Sequence, residues 1–336
     1  MYLVQFMLSA SAATAVQFGL LAIAGLLFVL AGAHVDAWMA AIGALMVAAG
    51  WAALLWRFFA LYRASRFPDC VHAGLLIGFF ACGWLAHPLF AVGVARTSAV
   101  AVHSAEMLSI WLFIAPVYVT VAHRLIPFFT TGVIPQLDAW RPLWLLAAFN
   151  GIVIAHGLLP VVGLALPDAL VTGLRLAVDA AGAALIFFVA WRWGMVQSLR
   201  NRLLAMLHLG FFWLGIAFAL YAWNQAVLLV GTPQAGLGLA PLHALTMGFF
   251  GSVAFAMVTR VTAGHGGRQL VAESLTWALF WMLQAAVIVR LLVDAWPAAG
   301  PWLTPLAIAL WCAAFLPWVV RNLHIYLSPR ADGRPG

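Results

Sequence analysis

The chain alternates between long apolar runs and short polar breaks. Ten runs are of spanning length, near 8–31, 37–60, 71–94, 101–125, 142–164, 169–192, 203–229, 238–262, 272–294 and 300–322. Roughly 20 consecutive apolar residues cross the hydrocarbon core of a bilayer as a helix. The breaks carry helix-stopping residues: Arg66-Phe67-Pro68-Asp69, Leu166-Pro167-Asp168, Gly231-Thr232-Pro233-Gln234 and Trp296-Pro297. Long continuous runs exclude the short alternating segments of a membrane barrel. In lipid each backbone polar group must be paired within the protein, so continuous runs fold as helices. The pattern predicts an all-α polytopic transmembrane bundle of about ten helices. It forms a single bundle over residues 1–327, with a polar tail over 328–336 that is expected to be disordered.

Composition agrees. The 336 residues are 66% hydrophobic and 7% charged, and the mean hydropathy is +1.06. Soluble domains hold about 25% charged residues, so lipid is the main solvent and the first partner. All sixteen basic residues are arginine. The net charge of +7 does not indicate nucleic acid, because the arginines are distributed over helix ends. Arg57, Arg63 and Arg66 follow the second run. Arg124 and Arg141 flank the break after the fourth, and Arg192, Arg200 and Arg202 the break after the sixth. Arg260 and Arg268 follow the eighth, and Arg321, Arg330 and Arg334 close the chain. If the helices alternate, all lie on one side, with Arg96 the exception. The positive-inside rule then predicts a multi-pass protein of the bacterial inner membrane with both termini in the cytoplasm. No basic residue precedes Arg57; a cleaved signal peptide needs a charged start, so the first run reads as a retained helix.

Ten histidines stand out in a chain with so little charge. Imidazole ligates metals and haem iron. His87, His156, His103 and His243 are expected in the outer half, with His34 in an outer loop. His72, His123, His208, His265 and His324 are expected in the inner half. His87 and His156 fall at comparable depth on different helices, which suits haem held between helices; each is equally readable as an interhelical hydrogen bond. His103 and Glu106 share a helix face and form a candidate metal pair, or a helix-start acid favoured by the dipole. His243 and His265 are twenty-two residues apart, roughly 33 Å along a helix at 1.5 Å per residue, so they cannot share a metal ion. The glycines around His265 predict a tight turn with that imidazole in a loop. Arg260 and Arg268 are candidate clamps for haem propionates, or plain inner-side anchors.

Arg175/Asp179 and Arg290/Asp294 are spaced i,i+4, so each pair can neutralise itself in lipid; Asp179 alternatively serves a proton path. Asn150, Asn224, Gln225 and Gln284 read as interhelical polar contacts. Cys70, Cys82 and Cys312 have no metal-type spacing. No Walker loop, dinucleotide fingerprint, Ser-His-Asp arrangement or H-E-x-x-H motif occurs.

Two segments carry a resemblance. Arg124-Leu125-Ile126-Pro127-Phe128-Phe129-Thr130 resembles the R-[IV]-I-P-F-F-T motif of the NnrS family. His243-Ala244-Leu245-Thr246-x-Gly248, then Thr259-Arg260, then Gly264-His265-x-Gly267-Arg268-x-Leu270, resembles its later signature. The clear likeness spans about 120–270. It implies a haem- and copper-containing membrane protein linked to nitric oxide metabolism or resistance to nitrosative stress. The first ligand candidates it implies are His87, His243 and His265, with His243 also a metal candidate beside His103 and Glu106. A redox partner or quinol is a further implied partner. Members of the family usually begin with two further helices bearing W-H-x-H-E-M. Here the nearest echo is His103-Ser104-Ala105-Glu106-Met107, just before the first motif. Two other functions stay open: transport of a metal, haem or small anion between an outer His103/Glu106/His243 set and an inner His123/His265 set, or a non-catalytic subunit of a respiratory or denitrification complex.

Overall fold

The computed structural model describes residue 27, residues 36–67 and residues 69–333. Apart from residue 27, the first predicted span, 8–31, lies outside the described residues, as does His34. Among those described, nine helices are long and apolar enough to cross a membrane. They are α1 Ala37–Ala64, α2 Val71–Ala95, α3 Ala99–Val133, α4 Leu143–Val162, α5 Asp168–Arg192, α6 Arg202–Leu229, α7 Pro233–His265, α8 Ser274–Ala295 and α9 Pro297–Leu327. Each answers to one predicted run. Several begin on the side chains that starts require. Asp36 accepts from the Trp38 amide at 3.0 Å, Ser98 from the Ala101 amide at 3.4 Å and Asn201 from the Leu204 amide at 3.2 Å.

Two helices depart from the simple pattern. The sequence suggests that α3 ends near 125, before Pro127, yet the helix continues to Val133. Hydroxyls accompany it past the proline: Thr130 donates to the Ile126 carbonyl at 2.8 Å and Thr131 to the Pro127 carbonyl at 3.0 Å. Pro127 has no amide to give the His123 carbonyl four residues earlier, and neighbouring helices and local adjustments make proline tolerable within membrane helices. Both α3 and α7 also contain a π-helical stretch, at Ile110–Ile114 and Ala244–Gly251. Wide turns of this kind are frequent at functional sites.

The described residues form two compact units. The first holds α1, α2, most of α3 and nearly all of α4. In it, α1 and α2 exchange indole bonds: Trp51 Nε1 donates to the Phe80 carbonyl at 2.9 Å and Trp84 Nε1 to the Ala48 carbonyl at 3.1 Å. The π stretch of α3 is packed by two glycines. A Cβ on Gly83 of α2 would lie 2.6 Å from the Phe113 ring, and one on Gly157 of α4 would lie 2.2 Å from Trp111 Cβ. Without a hydrophobic drive between helices in lipid, such close approaches and interhelical hydrogen bonds supply the cohesion. Thr120 and Asn150 provide one such bond, with Asn150 Nδ2 donating to Thr120 Oγ1 at 3.1 Å.

The second unit holds the end of α3 and α5 to α9. Its helix α6 is the most buried of the described spans. Gly210 of α6 lets the backbone approach Ser252 and Val253 of α7. A polar chain crosses this core. Trp213 Nε1 donates to Gln284 Oε1 at 2.7 Å, and Gln284 Nε2 donates to Ser252 Oγ at 2.9 Å. Trp318 Nε1 donates to Thr259 Oγ1 at 2.9 Å. Residues Ser328 to Gly333 turn back on the end of α7, where the Ala331 amide donates to the Gly266 carbonyl at 2.9 Å. Asp332 lies against Gly267 and pairs with Arg330.

Candidate functional site

The predicted site residues are divided between the two units. In the first, His87 is half-buried on α2, and its Nδ1 lies 2.8 Å from the Gly83 carbonyl. A carbonyl only accepts, so Nδ1 carries the hydrogen and Nε2 keeps the lone pair. His156 is buried on α4, its ring 4.1 Å from that of Trp111 in the π stretch. The space for that indole exists because residue 157 is glycine. His103 and Glu106 meet at 3.6 Å on the first turns of α3. With side chains 69% and 58% exposed, they are a solvated or interfacial pair rather than a buried one.

In the second unit, His243 closes the short helix Ala240–His243 and opens the π stretch of α7. Its Nδ1 lies 2.9 Å from the Leu239 carbonyl, which repeats the arrangement at His87 and again leaves the lone pair on Nε2. The sequence places His265 in a loop; it is instead the last residue of α7. The turn after it is closed by Gly267 at φ +64°, with the Arg268 amide donating to the Ala263 carbonyl at 2.9 Å. Arg268 is exposed. Arg260 is half-buried, and its guanidinium lies over the Phe129 ring at 4.0 Å from the centroid. One face of the cation is thus covered by an aromatic ring, a favourable arrangement. The in-plane N–H groups remain the directions along which it would grip a carboxylate.

The two motifs of the sequence therefore meet within one unit, because Phe129 belongs to the first and Arg260 to the second. Beside Phe129, Thr130 draws in a residue that sequence reasoning left unassigned. His208 of α6 is fully buried, and its Nε2 lies 2.9 Å from Thr130 Oγ1. The threonine hydrogen goes to the Ile126 carbonyl, so Nε2 must be the donor and Nδ1 the lone-pair nitrogen. That Nδ1 is buried without a hydrogen-bond partner among the described residues. The one available signal was a histidine within an otherwise apolar run of α6. Of the four carboxylate and arginine residues spaced i,i+4, Arg290 and Asp294 make the expected contact at 3.0 Å. Asp179 is fully buried on α5.

Among the described residues, no three His, Cys, Asp or Glu side chains converge as a group able to hold a metal ion. The donors come singly or in pairs. A bare copper or zinc ion needs more donors than this. A haem brings four ring nitrogens of its own and asks the protein for one or two axial ligands, so the donor set suits haem better.

The model of the family described as NnrS protein matches residues 6–330. The chain belongs to the NnrS family. The match extends well beyond the 120–270 region in which the motifs are clearest. No curated protein and no solved structure is significantly similar to this NnrS-family chain.

Proposed function

We propose that this NnrS-family protein binds haem through interior histidines and acts in nitric oxide metabolism or in resistance to nitrosative stress. It does so in the bacterial inner membrane, with both termini cytoplasmic and electrons supplied by a redox partner or quinol. The observation that carries the reading is the fixed tautomer at His87 and at His243. Each uses its Nδ1 hydrogen on the backbone carbonyl four residues earlier. Metal-binding histidines almost always have their second nitrogen tied in this way, which orients the ring and keeps the ligating lone pair available. His156 and His265 are the other axial candidates. Arg260, held on Phe129, and Arg268 are the groups that would pair with propionates. Bound haem would supply an iron with a coordination position for a diatomic gas. For copper, the His103/Glu106 pair would offer two donors, and His243 a separate single one.

The test is a dithionite-reduced minus oxidised spectrum of the detergent-purified protein, with iron and copper counted on the same sample. The reading expects sharp reduced haem bands, about one or more irons per chain, and altered bands on substitution of His87 or His243 by alanine. A colourless, iron-free protein from haem-replete cells would overturn it. So would haem bands indifferent to substitution of His87, His156, His243 and His265.

A further inference from the structure

The pair Arg290/Asp294 acquires a third member in the folded chain. His243 Nδ1 lies 3.8 Å from Asp294 Oδ2, and that same oxygen accepts from Arg290 Nη1 at 3.0 Å. The side chains of His243, Asp294 and Arg290 are only 22%, 16% and 19% exposed. The segment leading into His243 is pinned around them. Asn224 Oδ1 accepts from the Leu237 amide at 2.7 Å. Gly238, at φ +49°, packs on Asp294, and a Cβ there would be in ordinary contact with Oδ1 at 3.4 Å. The geometry is therefore held from α6, α7 and α8 at once.

Self-neutralisation explains Arg290 and Asp294 but not their placement beside the imidazole. The Nδ1 hydrogen is already directed to Leu239, and 3.8 Å exceeds hydrogen-bond length. Asp294 therefore acts on the ring through space, as a fixed negative charge, and Arg290 opposes it with a positive one. In a half-buried setting such charges are poorly screened. A negative charge near a ligand favours the more positive oxidation state of the bound centre, and a positive charge favours the reduced one.

We propose that Asp294 and Arg290 are positioning residues that set the reduction potential of the haem iron held on His243 Nε2, Asp294 lowering it and Arg290 raising it. The proposal rests on the reading of His243 as a ligand. The couple is the one-electron reduction of ferric to ferrous iron, with the electron supplied by mediator dyes in the titration below.

The experiment is a spectroelectrochemical titration of the full-length protein in detergent, wild type against D294N, R290Q, the D294N/R290Q double variant and H243A. D294N removes the negative charge at constant shape and is expected to raise the midpoint potential. R290Q leaves Asp294 uncompensated and is expected to lower it. The double variant returns toward the wild-type value, and all three keep the wild-type band positions. Loosened packing would not shift the two single variants in opposite directions. Single variants that shift alike, or not at all, while H243A loses or alters the haem bands would overturn the proposal and leave the ligand reading intact. Wild-type bands and potential in H243A would overturn the ligand reading and this proposal with it.

Discussion

Replacing Gly157 by alanine tests whether the close packing of α4 on the π stretch of α3 holds the first unit together. The new Cβ would lie 2.2 Å from Trp111 Cβ and 2.7 Å from Cγ. Carbon atoms in contact prefer about 3.5–4.0 Å, so the helices must part locally by about 1.5 Å or the indole must leave its place. Overpacking of this kind costs about 1–3 kcal/mol. The alanine gains about 1 kcal/mol over glycine in helix propensity, and the expected net loss is about 0–2 kcal/mol, which puts G157A about 1–3 kcal/mol below a glycine-to-alanine change that meets no contact. Gly151 is the internal control. It lies on the same helix, and nothing stands within 4 Å of a Cβ there. G151A is expected to be neutral or to gain up to about 1 kcal/mol. Unfolding by SDS in mixed micelles, followed by circular dichroism, compares the two. Because His156 touches Trp111, G157A also disturbs that imidazole. A G157A protein as stable as G151A would refute the reasoning, since identical chemistry on one helix would then have ignored the difference in contact.

Two further substitutions probe the meeting of the motifs. T130V removes the oxygen that accepts from His208 and leaves a buried donor unmet, at a cost of about 1–3 kcal/mol. T130S is expected to restore most of the loss, and equal stability of T130V and wild type in the same SDS titration would count against the pairing. F129L withdraws the ring beneath Arg260 and should cost about 0.5–2 kcal/mol; a change of the same size from F128L, whose ring lies on an exposed residue, would show the effect to be unspecific.

Much of the fold is legible in the sequence because lipid imposes a single rule, that apolar length means helix. The limits appear where a rule has two readings. Pro127 looks like a stop, yet the helix runs on to Val133. Glycines after His265 look like a loop, yet the helix includes that residue and turns only beyond it. The π stretches leave no mark in residue pattern, because they depend on what packs against them. At the site, Arg290 and Asp294 could be paired from spacing alone. Their neighbour His243 could not, since it depends on how α7 and α8 register. His208 and Thr130 are 78 residues apart, and only packing brings them together.

The wide turns of α7 amount to a phase shift built into one membrane span. Over Ala244–Gly251 the helix is π-helical, a form whose amides reach back five residues rather than four, so it absorbs surplus backbone without lengthening in proportion. His243 lies on one side of that stretch, and Thr259, Arg260 and His265 on the other. Were the span a plain α-helix of the same residue count, each surplus residue would rotate His243 by about 100° relative to them. The imidazole would then point away from Asp294. The direction in which this histidine presents its free nitrogen is thus a matter of residue count as much as of residue identity. A relative that kept each side chain of the motif but ran through this span as a plain α-helix of equal length would lose the alignment.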